Sequence, residues 1–155
     1  MHTSSNFVVI LNGEKEEIIP IQKHLQEFVD INILEDNRFS VEETYEVVRL
    51  EDIIDLFAET IRLSPNVELI VVGYIDCTEN SGEIMDFAMV YKNLKLKTYS
   101  SDWKYANYDD DEIYQMFDMY ACNEELDDEP DFKEIISEIN NIGWCDKDTI
   151  PIKSF

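Results

Sequence analysis

The segment "VELIVVGYIDC", residues 67–77, is a near-continuous run of aliphatic and β-branched side chains, and it constrains this chain more than any other stretch. Such residues suit a pleated, buried surface, so the run is expected to be a central strand. "SGEIMDFAMVYKN" and "LKLKTYSSDWKYA" follow as two more strands, with Asn80-Ser81-Gly82 and Lys92-Asn93 as turn residues. Ahead of the run, "LEDIIDLFAETIRLSP" places Leu50, Ile53, Ile54, Phe57 and Ile61 on one helical face, and Pro65 lies just past its end. A helix followed by three consecutive strands implies an antiparallel meander with helices against it, an α+β pattern.

The N-terminal third has a weaker pattern. "NFVVILNGEKEEIIPI" reads as two short apolar runs around Asn12-Gly13, a hairpin-favouring dipeptide. "PIQKHLQEFVDI" suits a helix with Pro20 in its first turn and Leu25, Phe28 and Val29 inward. "INILEDNRFSVEET" has no clean period and reads as irregular, whereas "TYEVVRL" favours a strand through Tyr45, Val47 and Val48.

With 155 residues, 45% of them hydrophobic, the chain can bury a real core, and the expectation is a single globular domain spanning 1–155. Cys77, Cys122 and Cys145 are odd in number and lack CxxC spacing, which suggests buried free thiols. The N-terminus has no basic region followed by a long apolar stretch, and no apolar run reaches membrane-spanning length. A reduced, cytoplasmic protein is expected.

Charge is the outlier: 35 acids against 12 bases give −23. Residues 105–155 carry 15 of those acids and only 3 of the bases. The densest stretch, "YDDDEIYQMFDMYACNEELDDEPDF", has eleven carboxylates in 25 residues and no lysine or arginine. It is not a disordered tail, because Ile113, Met116, Phe117, Tyr120 and Ala121 fall on one helical stripe and Phe132, Ile135, Ile136 and Ile139 on another. Asp109 with Glu112 resembles a capping box, Pro130 suits a first helical position, and Gly143 a stop. The fold expected is therefore α+β: an antiparallel sheet of four to five strands, helices packed on one face, and two acidic C-terminal helices.

Such charge repels nucleic acid and anionic membranes and steers a basic protein inward. Specific metal chemistry finds little support. An EF-hand begun at Asn123 has Glu125, Asp127 and Glu134 in place, but Asp128 stands at the obligatory glycine and Pro130 interrupts. The histidines are only His2 and His24, and no phosphate-binding glycine loop is present. Asp86 followed by Asp102-Trp103-Lys104 resembles the acid…acid-x-lysine layout of PD-(D/E)xK nucleases, without the usual proline before the first acid. Aromatic residues cluster beside the acids: Tyr99, Trp103, Tyr105, Tyr108, Tyr114 and Tyr120. Aromatic anchors ringed by acids suit the grip of a basic protein.

Residues 50–105, from "LEDIIDLF" to "SSDWKY", resemble a layout seen in bacterial immunity proteins of polymorphic and contact-dependent toxin systems. There a short amphipathic helix leads into a strand ending near a glycine and then an acidic, aromatic-rich meander. The resemblance implies a small acidic cytosolic α+β domain that binds one cognate toxin, often a nuclease; it carries over no residue-level roles. The combined expectation is a non-catalytic acidic inhibitor without cofactor or metal. It would occlude a basic toxin through Asp109, Asp110, Asp111, Glu112, Glu124, Glu125, Asp127, Asp128 and Glu129, with Trp103 and Tyr108 as anchors. The alternatives are a phage-type nucleic-acid mimic directed at restriction or CRISPR complexes and, behind it, a divalent-metal nuclease. Oligomeric state is not legible.

Overall fold

Strand β4 (Glu68–Cys77) is buried along Leu69–Ile75, so neither of its faces can be left to solvent. The computed structural model describes residues 3–153 and shows how both are covered. Among these residues eight strands form one antiparallel sheet in the order β2 (Asn32–Glu35), β3 (Arg38–Thr44), β1 (Ser4–Asn12), β4, β5 (Glu83–Lys92), β6 (Lys95–Ser100), β8 (Asp146–Pro151), with β7 (Lys104–Tyr105) paired beside β5. β1 (Ser4–Asn12) and β5 (Glu83–Lys92) flank β4 and are themselves buried over most of their length.

Side chains alternate across each strand. Phe7, Val9, Leu11, Leu69, Val71, Phe87 and Met89 therefore face one layer, with Ile18, Ile21 and Leu25 of α1 (Lys15–Gln26) and Ile53, Phe57 and Ile61 of α2 (Leu50–Ile61). Val8, Ile10, Ile70, Val72, Ala88 and Val90 face the opposite layer. There they meet Ile113, Met116 and Phe117 of α3 (Glu112–Cys122) and Ile135 and Ile139 of α4 (Phe132–Asn141). The expectation of helices on one face is thus corrected: α1 and α2 cover one face of the sheet, α3 and α4 the other. The physical reason is the apolar run itself, whose two faces are equally hydrophobic.

The four to five strands expected understate the sheet. "INILEDNRFSVEET", read as irregular, is a hairpin of β2 (Asn32–Glu35) and β3 (Arg38–Thr44) that adds to β1. Conversely, Tyr45–Val48 is not a strand; Val47 is buried from a loop while Tyr45 is exposed. Asn12-Gly13 leads directly from β1 into α1 rather than turning a hairpin, and Ile18 belongs to the helix. Pro20 lies inside α1, and Phe28, expected inward, is 42% exposed beyond its end. β6 (Lys95–Ser100) follows β5 through a turn centred on Asn93 and Leu94, both at positive φ, one residue later than expected. At the edge, β8 (Asp146–Pro151) pairs with β6 although it buries almost none of its own side chains.

Gly73 explains how β1 lies so close to β4. A Cβ there would sit 2.1 Å from the Asn6 carbonyl oxygen and 2.6 Å from Phe7 Cβ, so even a methyl group requires backbone movement. Gly73→Ala is expected to destabilise the fold by about 3 kcal/mol, the upper end for overpacking. Denaturant unfolding measures this, and an unchanged midpoint would contradict the packing described.

Candidate functional site

Most of the C-terminal acids lie outside the helices. α3 contains Glu112 and Asp118, and α4 contains Glu134 and Glu138 beside Lys133. Asp109 and Asp110 occupy a short 3-10 turn (Tyr108–Asp110), and Glu124, Glu125, Asp127, Asp128 and Glu129 occupy the loop joining α3 to α4. The expectation of two acidic helices is therefore corrected to two ordinary amphipathic helices with acidic connections. Connections tolerate like charges more readily, since i,i+4 repulsion along a helix is avoided.

The cap assignments shift too. Asp111, not Asp109, is the N-cap of α3, its Oδ1 accepting from the Ile113 and Tyr114 amides at 3.0 Å. Asp131, following Pro130, caps α4 by accepting from the Glu134 amide at 3.3 Å. Both carboxylates face the positive end of a helix dipole.

Together these segments enclose an open groove of about 1520 Å³. Asp109, Asp110, Asp111 and Glu112 line one side, and Glu125, Asp127, Asp128 and Glu129 the other. Asp118, Asp131, Glu134 and Glu138, absent from the residues chosen from sequence, also line it. Twelve carboxylates thus share one concavity, and among the described residues no lysine or arginine lines it. Glu124, Trp103 and Tyr108 are not part of its lining. Pockets for small molecules are mainly apolar with a few placed polar groups, whereas acidic residues make up most of the residues that line this groove.

The groove is tied to the sheet by Arg38 at the start of β3. The guanidinium is fully buried; it donates to the Tyr120 carbonyl at the end of α3 and, at 3.0 Å, to the Glu124 carbonyl of the acidic loop. It also pairs with Glu35 at 3.4 Å. α3 has no basic residue in its last turn, so Arg38 supplies from β3 the cation its C-terminus favours.

A second network lies at the start of α3. The strand beside β5 is broken: β6 ends opposite Phe87, and β7 (Lys104–Tyr105) resumes opposite Ile84 and Glu83. Ser101 fills the break, its amide donating to the Asp86 carbonyl and its hydroxyl accepting from the Asp86 amide, both at 3.0 Å. Lys104 then points back to Asp86, with Nζ 2.5 Å from Asp86 Oδ2 and 3.2 Å from Asp111 Oδ2. Asp86 is 2% exposed and Asp111 6%, while the lysine is partly open to solvent. Burial first, then the adjoining Asp111 carboxyl, raises the Asp86 pKa to about 7 against the pull of Lys104. The nuclease-like reading placed Asp86 and Lys104 together, and they do meet. Its second acid, Asp102, is exposed, and Asp111 takes the place beside the lysine. Among the described residues no group of three or more His, Cys, Asp or Glu side chains is arranged to hold a metal ion.

The expected anchors divide. Trp103 is 43% exposed in the break between β6 and β7, while Tyr108 is half-buried, its ring 4.3 Å from that of Tyr114 and 6.2 Å from that of Tyr74. Tyr105 is the most open of the exposed large hydrophobic side chains, at 78%. Tyr99 is buried, its hydroxyl bonded to Asn140 Oδ1 at 2.7 Å. The thiols are free, but Cys122 and Cys145 are exposed and Cys77 half-buried, so the expectation of buried cysteines is corrected. His2 lies outside the described residues. His24 is half-buried, with Nδ1 2.7 Å from Thr60 Oγ1. Among the described residues no helix is long and apolar enough to cross a membrane.

No family model, curated protein or solved structure shows a significant match to this chain.

Removing the Arg38 guanidinium leaves the Tyr120 and Glu124 carbonyls without their donor and opens a cavity. Arg38→Ala is expected to cost about 3 kcal/mol or more in unfolding free energy. It should also raise amide hydrogen exchange selectively over residues 119–131. Exchange in that segment equal to the parent protein would show that Arg38 does not anchor the loop.

Proposed function

We propose that this chain is a non-catalytic, acidic binding protein that neutralises a basic protein toxin, a nuclease being the class favoured, in the cytoplasm of the cell that makes it. The observation that carries the reading is the groove, which twelve acidic residues line with no lysine or arginine among the described lining residues, Asp111 alone being paired from behind by Lys104. Desolvating so many like charges is unfavourable unless a cationic surface fills the space. Before contact, the same field raises the encounter rate with such a surface.

Shape separates this reading from nucleic-acid mimicry. A mimic of a duplex presents its carboxylates outward, as phosphates are presented, to a protein that wraps around it. Here they line a concavity, which suits a protruding basic element such as a loop or helix. The exposed Trp103 and Tyr105 stand on the segment that leads into the acidic turn and offer aromatic contact beside the charge. Asp109, Asp110, Glu125, Asp127 and Asp128 are the contacts of choice, since each is exposed. Asp111 serves the scaffold instead, because it is buried as a helix cap.

Co-expression of this chain with a basic nuclease toxin that it binds is expected to restore growth of a sensitive host. Reversal of Asp109, Asp110, Glu125, Asp127 and Asp128 to lysine should abolish that protection. In stopped-flow measurements the same variant should associate about tenfold or more slowly, with its salt dependence flattened. Undiminished protection with unchanged association rates would remove the groove from the interaction. Competition by duplex DNA for the same partner surface would instead favour mimicry.

A further inference from the structure

The network of Asp86, Lys104 and Asp111 contains two buried carboxyl groups and only one cation. Asp86 Oδ1 and Asp111 Oδ2 are both buried without a hydrogen-bond partner, the latter reached only by its ion pair with Lys104 at 3.2 Å. Buried carboxylate oxygens are ordinarily satisfied, so two such atoms in one three-residue network require an explanation. A single proton held between the two carboxyls supplies it. One proton, one remaining negative charge and the Lys104 ammonium then make the cluster neutral, whereas full ionisation leaves a net negative charge on two buried carboxyls.

The three residues come from three separate parts of the fold. Asp86 is on β5 at the break in its neighbouring strand, Lys104 begins β7, and Asp111 caps α3 immediately after the acidic turn. From β4, Tyr74 lies directly opposite Asp86, and burial raises its pKa further above the ordinary tyrosine value, so it stays neutral throughout the relevant range. Ser101, in the break itself, meets Asp86 through the Asp86 backbone alone. Lys104 remains charged, its pKa raised by the two carboxylates despite partial burial. Among the described residues Lys104 is the cation that acts on Asp86.

We propose that Asp86 and Asp111 share one proton and, with Lys104, form a pH-sensitive latch that holds the acidic turn and the N-terminus of α3 against the sheet. Loss of that proton sets two carboxylates against one ammonium. Asp111 is the movable member, because it stands at the junction of a short 3-10 turn and a helix end, whereas Asp86 is fixed inside a strand. The latch therefore opens by releasing residues 108–114, of which Asp109 to Glu112 form one rim of the groove.

The sign of the linkage follows from the Asp86 shift. Below the ordinary carboxyl pKa, the folded and unfolded chains both hold the proton and no stability is lost. Between that value and about 7 the folded chain retains a proton that the unfolded chain has released, so stability falls as pH rises. Above about 7 this dependence ends. Within the window the folding constant falls by up to about tenfold per pH unit.

The test compares the full chain with Asp86→Asn, which keeps the side-chain shape and cannot ionise. Unfolding midpoints and intrinsic-rate-corrected amide exchange are measured between pH 4.5 and 8.5. The parent is expected to lose stability relative to the variant up to about pH 7, and protection of residues 108–114 should fall over the same range only in the parent. Identical pH profiles for the two proteins would overturn the latch. Should Asp86→Asn fail to fold, ¹³C carboxyl titration of the parent decides the matter. A midpoint for the pair near neutrality supports the shared proton, and two midpoints both near the ordinary aspartate value refute it.

Discussion

A sheet whose central strands are apolar on both faces must be covered twice, and everything distinctive about this protein follows from that requirement. Val8, Ile10, Ile70, Val72 and Val90 would face water if α1 and α2 were the only cover. The C-terminal third, with its very high acid content, is therefore recruited as structural material. Its two apolar stripes, Ile113-Met116-Phe117 and Ile135-Ile139, fall on the second face, and its charge is displaced to turns, loops and outward helix positions. The acidic groove is what remains when two helices with charged connections must both lie down on one sheet.

Concentrating negative charge in this way would loosen the second layer if nothing offset it. Helix surfaces commonly gain a few tenths of a kcal/mol from each i,i+4 acid–base pair, and α3 has none available. The offset comes from the ends of the helices rather than their sides. Asp111 and Asp131 put negative charge at the two N-termini, where the macrodipole favours it. Arg38, from a strand on the far side of β1, puts a buried positive charge at the C-terminus of α3 and fixes the following loop by a second carbonyl. The acid excess is thus accommodated by placement: Arg38 stands at the C-terminus of α3, where the dipole favours a cation, and Lys104 balances the buried carboxyls at its start.

What could be read from the sequence follows the same division between buried and exposed structure. The runs that became β4, β5, β6, α2, α3 and α4 were legible, because burial imposes a hydrophobic period on each of them. β2 and β8 were not: Asn32 and Ile33 are exposed, Asp146–Thr149 are exposed, and only pairing with a neighbour makes these segments strands. Tyr45–Val48 failed for the opposite reason, since β propensity there is overridden by a loop that inserts Val47 into the core. Of the site, the acids were plain in the sequence but their convergence was not, because the two sides of the groove are separated by α3 and meet only when both helices reach the sheet. Arg38 gave no signal, being a single base in "EDNRFSV" whose partners lie 82 and 86 residues away.

The break between β6 and β7 is the point at which fold and function depend on each other most closely. An uninterrupted strand beside β5 would pair Asp86 from both sides and leave Lys104 no path to its carboxyl. Looping out residues 101–103 costs regular sheet hydrogen bonds, which Ser101 partly restores through its amide and hydroxyl. In exchange the break exposes Trp103, brings Tyr105 onto the turn at Gly82, and directs Lys104 to the one place where it can balance the acid that caps α3. Without that lysine, Asp86 and Asp111 would be two buried carboxyls with no counter-charge, and the acidic turn that follows from β7 would be held against the sheet by apolar and aromatic packing alone. The position of the acids in the groove is therefore set by a cation that is not itself in the groove.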